Sequence, residues 1–148
     1  MVDVWTEIKI RRPCEEVSAY AANPDNAPEW YVNIRSAEWL TPKPLAVGSR
    51  IAFQARFLGK TLAYVYRIAA YEPGRLLVME TADGPFPMET TYTWEAMDGH
   101  TTRMTLRNRG KPSGFSAFLT PMMAFMMRRA NEKDLKRIKA LLEARPVE

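Results

Sequence analysis

The side chains most often used for nucleophilic and acid–base chemistry occur once each in this chain, as Cys14 and His100. A cysteine beside a histidine can form an activated pair, but these two lie far apart in sequence and in different contexts. Cys14 follows Pro13 at the expected start of a helix, where the positive end of the helix dipole favours a thiolate. The simpler reading is a buried or half-buried thiol packed as a small apolar group. His100 follows Asp98-Gly99, a turn signal, and a turn histidine is ordinarily solvated rather than poised as a general base. No cluster has metal-ligand spacing, and neither glycine-rich nucleotide fingerprint is present. The usual hydrolase, dehydrogenase and metalloenzyme readings lose support, and no cofactor is expected. What remains is a few polar groups on apolar segments: Tyr64, Tyr66, Tyr92 and Asn108. Facing inward, each must bond to a neighbour, to water or to a ligand. An inward Tyr or Asn can also polarise a carbonyl, as an enolate-forming cyclisation requires. A structural hydrogen bond is the plainer use of each.

The elements that would position these groups are mostly strands. Val2 to Arg11 alternates Val4, Thr6, Ile8 and Ile10 against Trp5, Glu7, Lys9 and Arg11, the pattern of a half-buried strand. Pro13 suits the first turn of a helix, with Glu15 and Glu16 near its positive end and Val17, Tyr20 and Ala21 inward. Asn23-Pro24 ends that helix, and Pro24 to Asn33 has room for one more short helix anchored by Trp30. Six strands are then predicted: Ile34 to Thr41, Arg50 to Leu58, Thr61 to Tyr71, Arg75 to Ala82, Met88 to Ala96 and Thr101 to Asn108. An odd-length connection around Asp98-Gly99 puts Glu89, Thr91, Thr93 and Glu95 on one face with Arg103, Thr105, Arg107 and Arg109. Opposite charges facing each other across strands belong on the solvent side. The basic stripe on the last strand thus needs no ligand to explain it.

The last third is a predicted helix from Ser113 to Glu143. Its first half, Phe115 to Met127, carries apolar residues on every face, whereas a surface helix carries one stripe. Such a segment must be enclosed, meet a partner or membrane, or roof a cavity. Pro121 is expected to kink it or to mark a restart capped by Thr120. Seven strands curved around one long helix can leave space that side chains do not fill. Candidate lining residues from the strands are Phe53, Phe57, Tyr64, Tyr66, Met79 and Thr90, together with Tyr92, Trp94, Met104, Leu106 and Asn108. From the helix they are Phe118, Met122, Met123, Phe125 and Met126.

Composition sets the outer bounds. A chain of 148 residues, 47% hydrophobic and 26% charged, suits one soluble globular domain over residues 1–148. A lone cysteine excludes an intramolecular disulfide and suits a reducing compartment. Asp3, Glu7, Lys9 and Arg11 interrupt any signal-like start, and no apolar run reaches about 18 residues. A cytoplasmic location is expected. The net charge of +4 resides in residues 128–145, where seven basic side chains face three acidic ones. A solvated helix face, with cations toward the negative end of the dipole, accounts for it. No nucleic-acid partner is expected.

The order strand, two short helices, six antiparallel strands and a long helix gains meaning from particular residues. They are Ile8 to Ile10, Pro13-Cys14-Glu15-Glu16-Val17, Tyr20, Asn23-Pro24, Pro28 and Trp30. The turns Val47-Gly48-Ser49 and Tyr71-Glu72-Pro73-Gly74-Arg75-Leu76 belong to the pattern, as does Met127 to Leu135. Over essentially its whole length the chain resembles the START-like, or SRPBCC, superfamily of helix-grip proteins, in particular its bacterial polyketide cyclase/dehydrase-type branch. The resemblance implies an α+β helix-grip fold, a seven-stranded curved antiparallel sheet around a C-terminal helix, and an internal cavity. It also implies a small hydrophobic ligand such as a lipid, polyketide, quinone or aromatic compound. Function follows less directly, because one fold hosts many activities. Two alternatives stay open. One is a polyketide cyclase/dehydratase-like enzyme, for which no catalytic set is matched. The other is an interaction module using the methionine-rich helix, as a homodimer seam or, with Arg128-Arg129, a peripheral membrane contact.

Overall fold

The structure, a computed structural model, describes residues 2–57, 59–83, 87–110 and 120–146. Strand β1 (Val2–Ile10) buries Val2, Val4, Thr6 and Ile10 and exposes Asp3, Trp5, Glu7 and Lys9, as its alternation predicts. Strands β2 (Ile34–Trp39), β3 (Arg50–Phe57), β4 (Lys60–Glu72), β5 (Leu76–Asp83), β6 (Met88–Asp98) and β7 (Thr101–Gly110) follow. All seven form one antiparallel sheet in the order β1–β7–β6–β5–β4–β3–β2. Successive hairpins run from β2 to β7, and β1 closes the sheet beside β7.

The β6–β7 register has the phase that the charges require. Glu89 faces Arg109, Thr91 faces Arg107 and Glu95 faces Arg103 on one side; Thr90 faces Asn108, Tyr92 faces Leu106 and Trp94 faces Met104 on the other. A bulge between Ala96 and Asp98 supplies the odd count. The basic stripe lies between two acidic neighbours. Arg107 forms a two-pronged bond with Asp3 of β1 at 2.9 and 2.7 Å, and Arg103 reaches Glu7 at 3.6 Å and Glu95 at 3.9 Å. Exposed pairs of this kind add little stability. What they fix is which face turns outward.

Further bulges interrupt β2–β3 between Ile34 and Ser36, and β4–β5 between Val65 and Tyr66 and between Ile68 and Ala70. Each adds a residue to one strand and bends it. The sheet therefore curls toward the helices instead of lying flat against them.

Helix α1 (Cys14–Ala22), a 3-10 turn (Pro24–Asn26) and helix α2 (Ala27–Trp30) cross from β1 to β2. The Asn23 side chain caps the turn by accepting the Asp25 N–H at 3.0 Å. A four-residue helix has no stability of its own; Trp30, fully buried, pins it to the core.

Helix α3 (Thr120–Glu143) lies along the concave side. Its expected earlier start, with Phe115, Phe118 and Leu119, falls outside the described residues. Pro121 is the second residue of the helix as described; whether it kinks a longer helix or marks a restart, as expected from the sequence, lies outside the described residues. Among the described residues no helix is long and apolar enough to cross a membrane. The basic residues of α3 do more than meet solvent. Arg128 donates to the Trp5 carbonyl at 3.1 Å, Arg137 to that of Glu29 at 2.6 Å and Lys139 to that of Lys9 at 2.9 Å. They strap the helix to β1 and α2.

The core has three parts. Leu135, Ile138 and Leu142 of α3 pack with Trp94, Met104, Leu106 and Ile68 over the middle of the sheet. Met123 joins Val2 and Val4. Ala27, Ile51 and Phe53 form the third cluster under α2. Between these clusters the interior is not filled.

Candidate functional site

The unfilled space is a partly open cavity of about 180 Å³. The sheet contributes Phe53, Tyr64, Tyr66, Met79, Met88, Thr90, Tyr92 and Asn108, and the α1–α2 segment contributes Ala21, Ala22, Ala27 and Tyr31. From α3 come Met123, Met127, Ala130, Asn131 and Asp134. Their spacing of four, three, one and three residues keeps them on one helical face. Small residues on α1 and α2 leave room that the curved sheet does not reclaim.

Eight of the expected lining residues meet at this wall: Phe53, Tyr64, Tyr66, Met79, Thr90, Tyr92, Asn108 and Met123. Others do not. Trp94, Met104 and Leu106 are buried, but they sit beneath the C-terminal half of α3 in solid packing. Met122 and Phe125 are 57% and 59% exposed, and Met126 is half-buried away from the wall. The expectation that Met122, Phe125 and Met126 line the cavity is therefore corrected. At about 100° per residue, these positions fall off the inward face however apolar they are. The side chains of Phe57 and Phe118 lie outside the described residues.

The sequence reading missed the polar members of α3. Asn131 and Asp134 stand among the charged residues assigned to a solvated face, yet both are buried, each with only 4% of its surface exposed. Their signal was phase: they share a stripe with Met123, Met127, Leu135, Ile138 and Leu142. Tyr31, Met88 and Met127 were also absent from the candidates.

A hydrogen-bonded chain runs across the cavity floor. The Thr90 hydroxyl donates to Asn108 Oδ1 at 2.6 Å, and Asn108 Nδ2 donates to Asn131 Oδ1 at 3.1 Å. Asn131 Nδ2 is buried with no partner. One helical turn on, Asp134 Oδ1 accepts the Val32 N–H at 2.8 Å. Burial pushes this carboxyl up to about 7, against the opposing pull of that N–H and of Arg137. Burial also raises the Tyr92 hydroxyl well above its ordinary value, with the nearby Asp134 charge adding to the effect. The floor is thus a buried polar strip in which a carboxyl group can hold or release a proton near neutrality.

His100 is exposed at the β6–β7 turn, where its backbone N–H donates to Asp98 Oδ1 at 2.7 Å; it is not on the cavity wall. Cys14 is a half-buried thiol 3.4 Å from the Gly74 carbonyl, and desolvation raises its pKa despite the helix start. We expect Cys14 to react with a disulfide reagent at about pH 7.4 more slowly than the protein unfolded in urea, by roughly tenfold or more. Equal rates in the two states would show a solvated thiol. Among the described residues, no three His, Cys, Asp or Glu side chains converge as a metal site.

A curled seven-stranded antiparallel sheet gripping one long C-terminal helix, with two short helices between its first two strands, is the helix-grip fold. The chain belongs to the family described as polyketide cyclase/dehydrase and lipid transport, which matches residues 1–143. No curated protein matches it by sequence. Solved structures resemble it in fold. A protein of Thermus thermophilus superposes with a TM-score of 0.82 at 19% identity, covering 97% of this chain and 99% of that one. The Zhui aromatase/cyclase of a Streptomyces species gives 0.77 at 15% identity, covering 95% and 93%. A START superfamily protein of Mycobacterium smegmatis gives 0.75 at 10% identity, covering 94% and 98%. Family and fold fit ligand-binding and polyketide cyclase/dehydrase roles alike.

Proposed function

We propose that this protein binds or carries a small hydrophobic molecule in the cavity between the sheet and α3. The observation that carries this reading is the space itself: about 180 Å³ left open in an otherwise close-packed interior. Dry apolar cavities of about 150 Å³ take up benzene, whereas pockets for drug-sized ligands begin near 300 Å³. The expected guest is therefore a compact molecule of one or two fused rings, or a short branched chain. Methionines at positions 79, 88, 123 and 127 can adjust the wall to its shape.

Ala130 offers a clean test, because it faces the cavity from α3 and a larger side chain there projects into the space. Ala130→Phe is expected to weaken naphthalene binding, followed by tryptophan-fluorescence quenching, at least tenfold. The circular dichroism spectrum should be unchanged. Wild-type protein that shows no saturable uptake of any neutral one- or two-ring compound would defeat the reading.

A second reading, an enzyme of the cyclase/dehydratase type, is favoured by one observation: Asp134 is a buried carboxyl on the cavity wall beside Tyr92 and the two asparagines. A general acid–base catalyst works best with a pKa near the working pH. Here the carboxyl would remove a proton next to a ligand carbonyl and return it to a leaving hydroxyl. Product analysis with a poly-β-keto substrate tests this. Turnover is expected to fall about a hundredfold or more in Asp134→Asn with binding retained, and no acceleration by wild-type protein rejects it.

A further inference from the structure

Helix α3 carries a stripe that neither its packing nor the cavity uses. Met122, Phe125, Arg129, Lys133 and Lys136 follow one another at spacings of three, four, four and three residues, which keeps them on one helical face. All five are exposed, the two apolar ones by more than half. The Arg129 guanidinium stands 5.9 Å from the centre of the Phe125 ring, so charge and apolar surface meet in one patch.

Folding does not account for the three cations. Arg128, Arg137 and Lys139 donate to backbone carbonyls of β1 and α2; Arg129, Lys133 and Lys136 make no such bond among the described residues. Nor does any of these three lie within ion-pair distance of an acid among those residues. Arg129 precedes Lys133 by four residues, a like-charge spacing that weakens a helix. All three stand more than a turn from the end of α3 at Glu143, beyond the reach of its dipole. Glu132, the one exposed acid of residues 122–140, flanks the stripe instead of interrupting it. Contact with water suits the lysines, but it leaves two large apolar side chains uncovered beside them.

A partner for this stripe must be anionic along most of its length and apolar at one end. Duplex nucleic acid offers phosphates but nothing to cover Met122 and Phe125. A second copy packed on the stripe sets cations against cations or against the apolar pair. A bilayer containing acidic lipids offers charged headgroups with hydrocarbon just beneath them. We propose that α3 docks the protein on an anionic lipid surface, with Met122 and Phe125 inserted between headgroups and Arg129, Lys133 and Lys136 lying along them. The contact is peripheral: among the described residues no helix is long and apolar enough to cross a membrane. Met123 and Met127, from the same turns, line the cavity, so docking holds that wall close to the bilayer. The proposal does not depend on what the cavity holds.

Co-sedimentation with vesicles tests it on the unaltered chain. Vesicles of phosphatidylcholine with about one-third phosphatidylserine should bind the protein at low ionic strength, and salt at about 0.5 M should release it. Vesicles of phosphatidylcholine alone should bind it about a hundredfold more weakly, since each cation near an acidic surface is worth about fivefold. Arg129→Gln combined with Lys133→Gln and Lys136→Gln should cause a loss of the same size on the acidic vesicles. Met122→Ser with Phe125→Ser, which leaves the charge unchanged, should weaken binding about tenfold. Only exposed side chains change, so both variants should keep the circular dichroism and urea midpoint of the wild type. Equal binding to the two vesicle types, or binding to neither, overturns the proposal. Undiminished vesicle binding by the serine variant also overturns it, because charge attraction alone then suffices. Tighter binding to a short DNA duplex than to acidic vesicles overturns it in favour of a nucleic-acid partner. Concentration-dependent dimerisation that the serine variant abolishes overturns it in favour of a second copy. Each outcome leaves the cavity reading untouched.

Discussion

Asp134→Asn is expected to make the protein more stable near pH 8, by about 1–3 kcal/mol net. In the folded chain the carboxyl is raised from its ordinary range near 4 to about 7. Between those values the native state binds a proton that the unfolded chain does not. Stability therefore falls as pH rises from about 4 to 7, and levels off once the folded carboxyl has ionised. A shift of that size corresponds to something on the order of 4 kcal/mol. Asparagine removes the charge and can still accept the Val32 N–H at Oδ1. Its new amide donors, if unpaired, return about 1–3 kcal/mol of the gain. Urea denaturation of both proteins from about pH 4 to pH 8 checks the sign and the window. The variant's advantage should be largest at the alkaline end and reverse to a deficit of about 1–3 kcal/mol near pH 4, where only the cost of the unpaired amide remains. Parallel curves across this range would mean that Asp134 is solvated after all. A buried acid retained against stability is what a working site looks like.

Trp30→Ala should have the largest destabilising effect, about 3–5 kcal/mol, enough to unfold a protein of marginal stability. The indole is fully buried, with its ring centre 4.1 Å from that of Tyr31 and 5.8 Å from that of Tyr92. It fastens α2, which is too short to persist unaided, and with α2 the Tyr31–Val32 segment that meets Asp134. If the variant folds, uptake of a cavity probe should be weakened together with stability. A urea midpoint displaced by less than the equivalent of about 1 kcal/mol would show that the short helices are held some other way.

These two positions also show what could be read in advance. Trp30 was identified from sequence as an anchor because a single large apolar residue stood in a segment with room for one short helix. Asp134 was not. A charged residue flanked by Lys133 and Lys136 reads as solvated unless its phase is compared with Leu135, Ile138 and Leu142. On the same helix, apolar character pointed to Met122 and Phe125, which the geometry leaves exposed. Phase outranks hydropathy once the helix has one buried face.

On the strands the two agreed. Alternation has a period of two, so Tyr64 shares a face with Tyr66, and Thr90 with Tyr92, along their own strands, and strand pairing brings these to the cavity wall with Phe53, Met79 and Asn108. The opposed charges of β6 and β7 fixed their register in the same way. Where along the sheet the interior stays open is a different matter. Trp94 and Met104 share the inward face with Tyr92 yet lie under the packed end of α3.

The amino-acid sequence by itself determined the strands, their facing and the β6–β7 register, because each follows from local periodicity and charge; the gripping arrangement followed from the order of elements and the family resemblance. The tertiary structure alone decided the hollow and its polar floor. Bulges curl the sheet, alanines on α1 and α2 keep their distance, and α3 turns Asn131 and Asp134 inward. A void is made by the separation of elements far apart in the chain, and no local pattern records that separation.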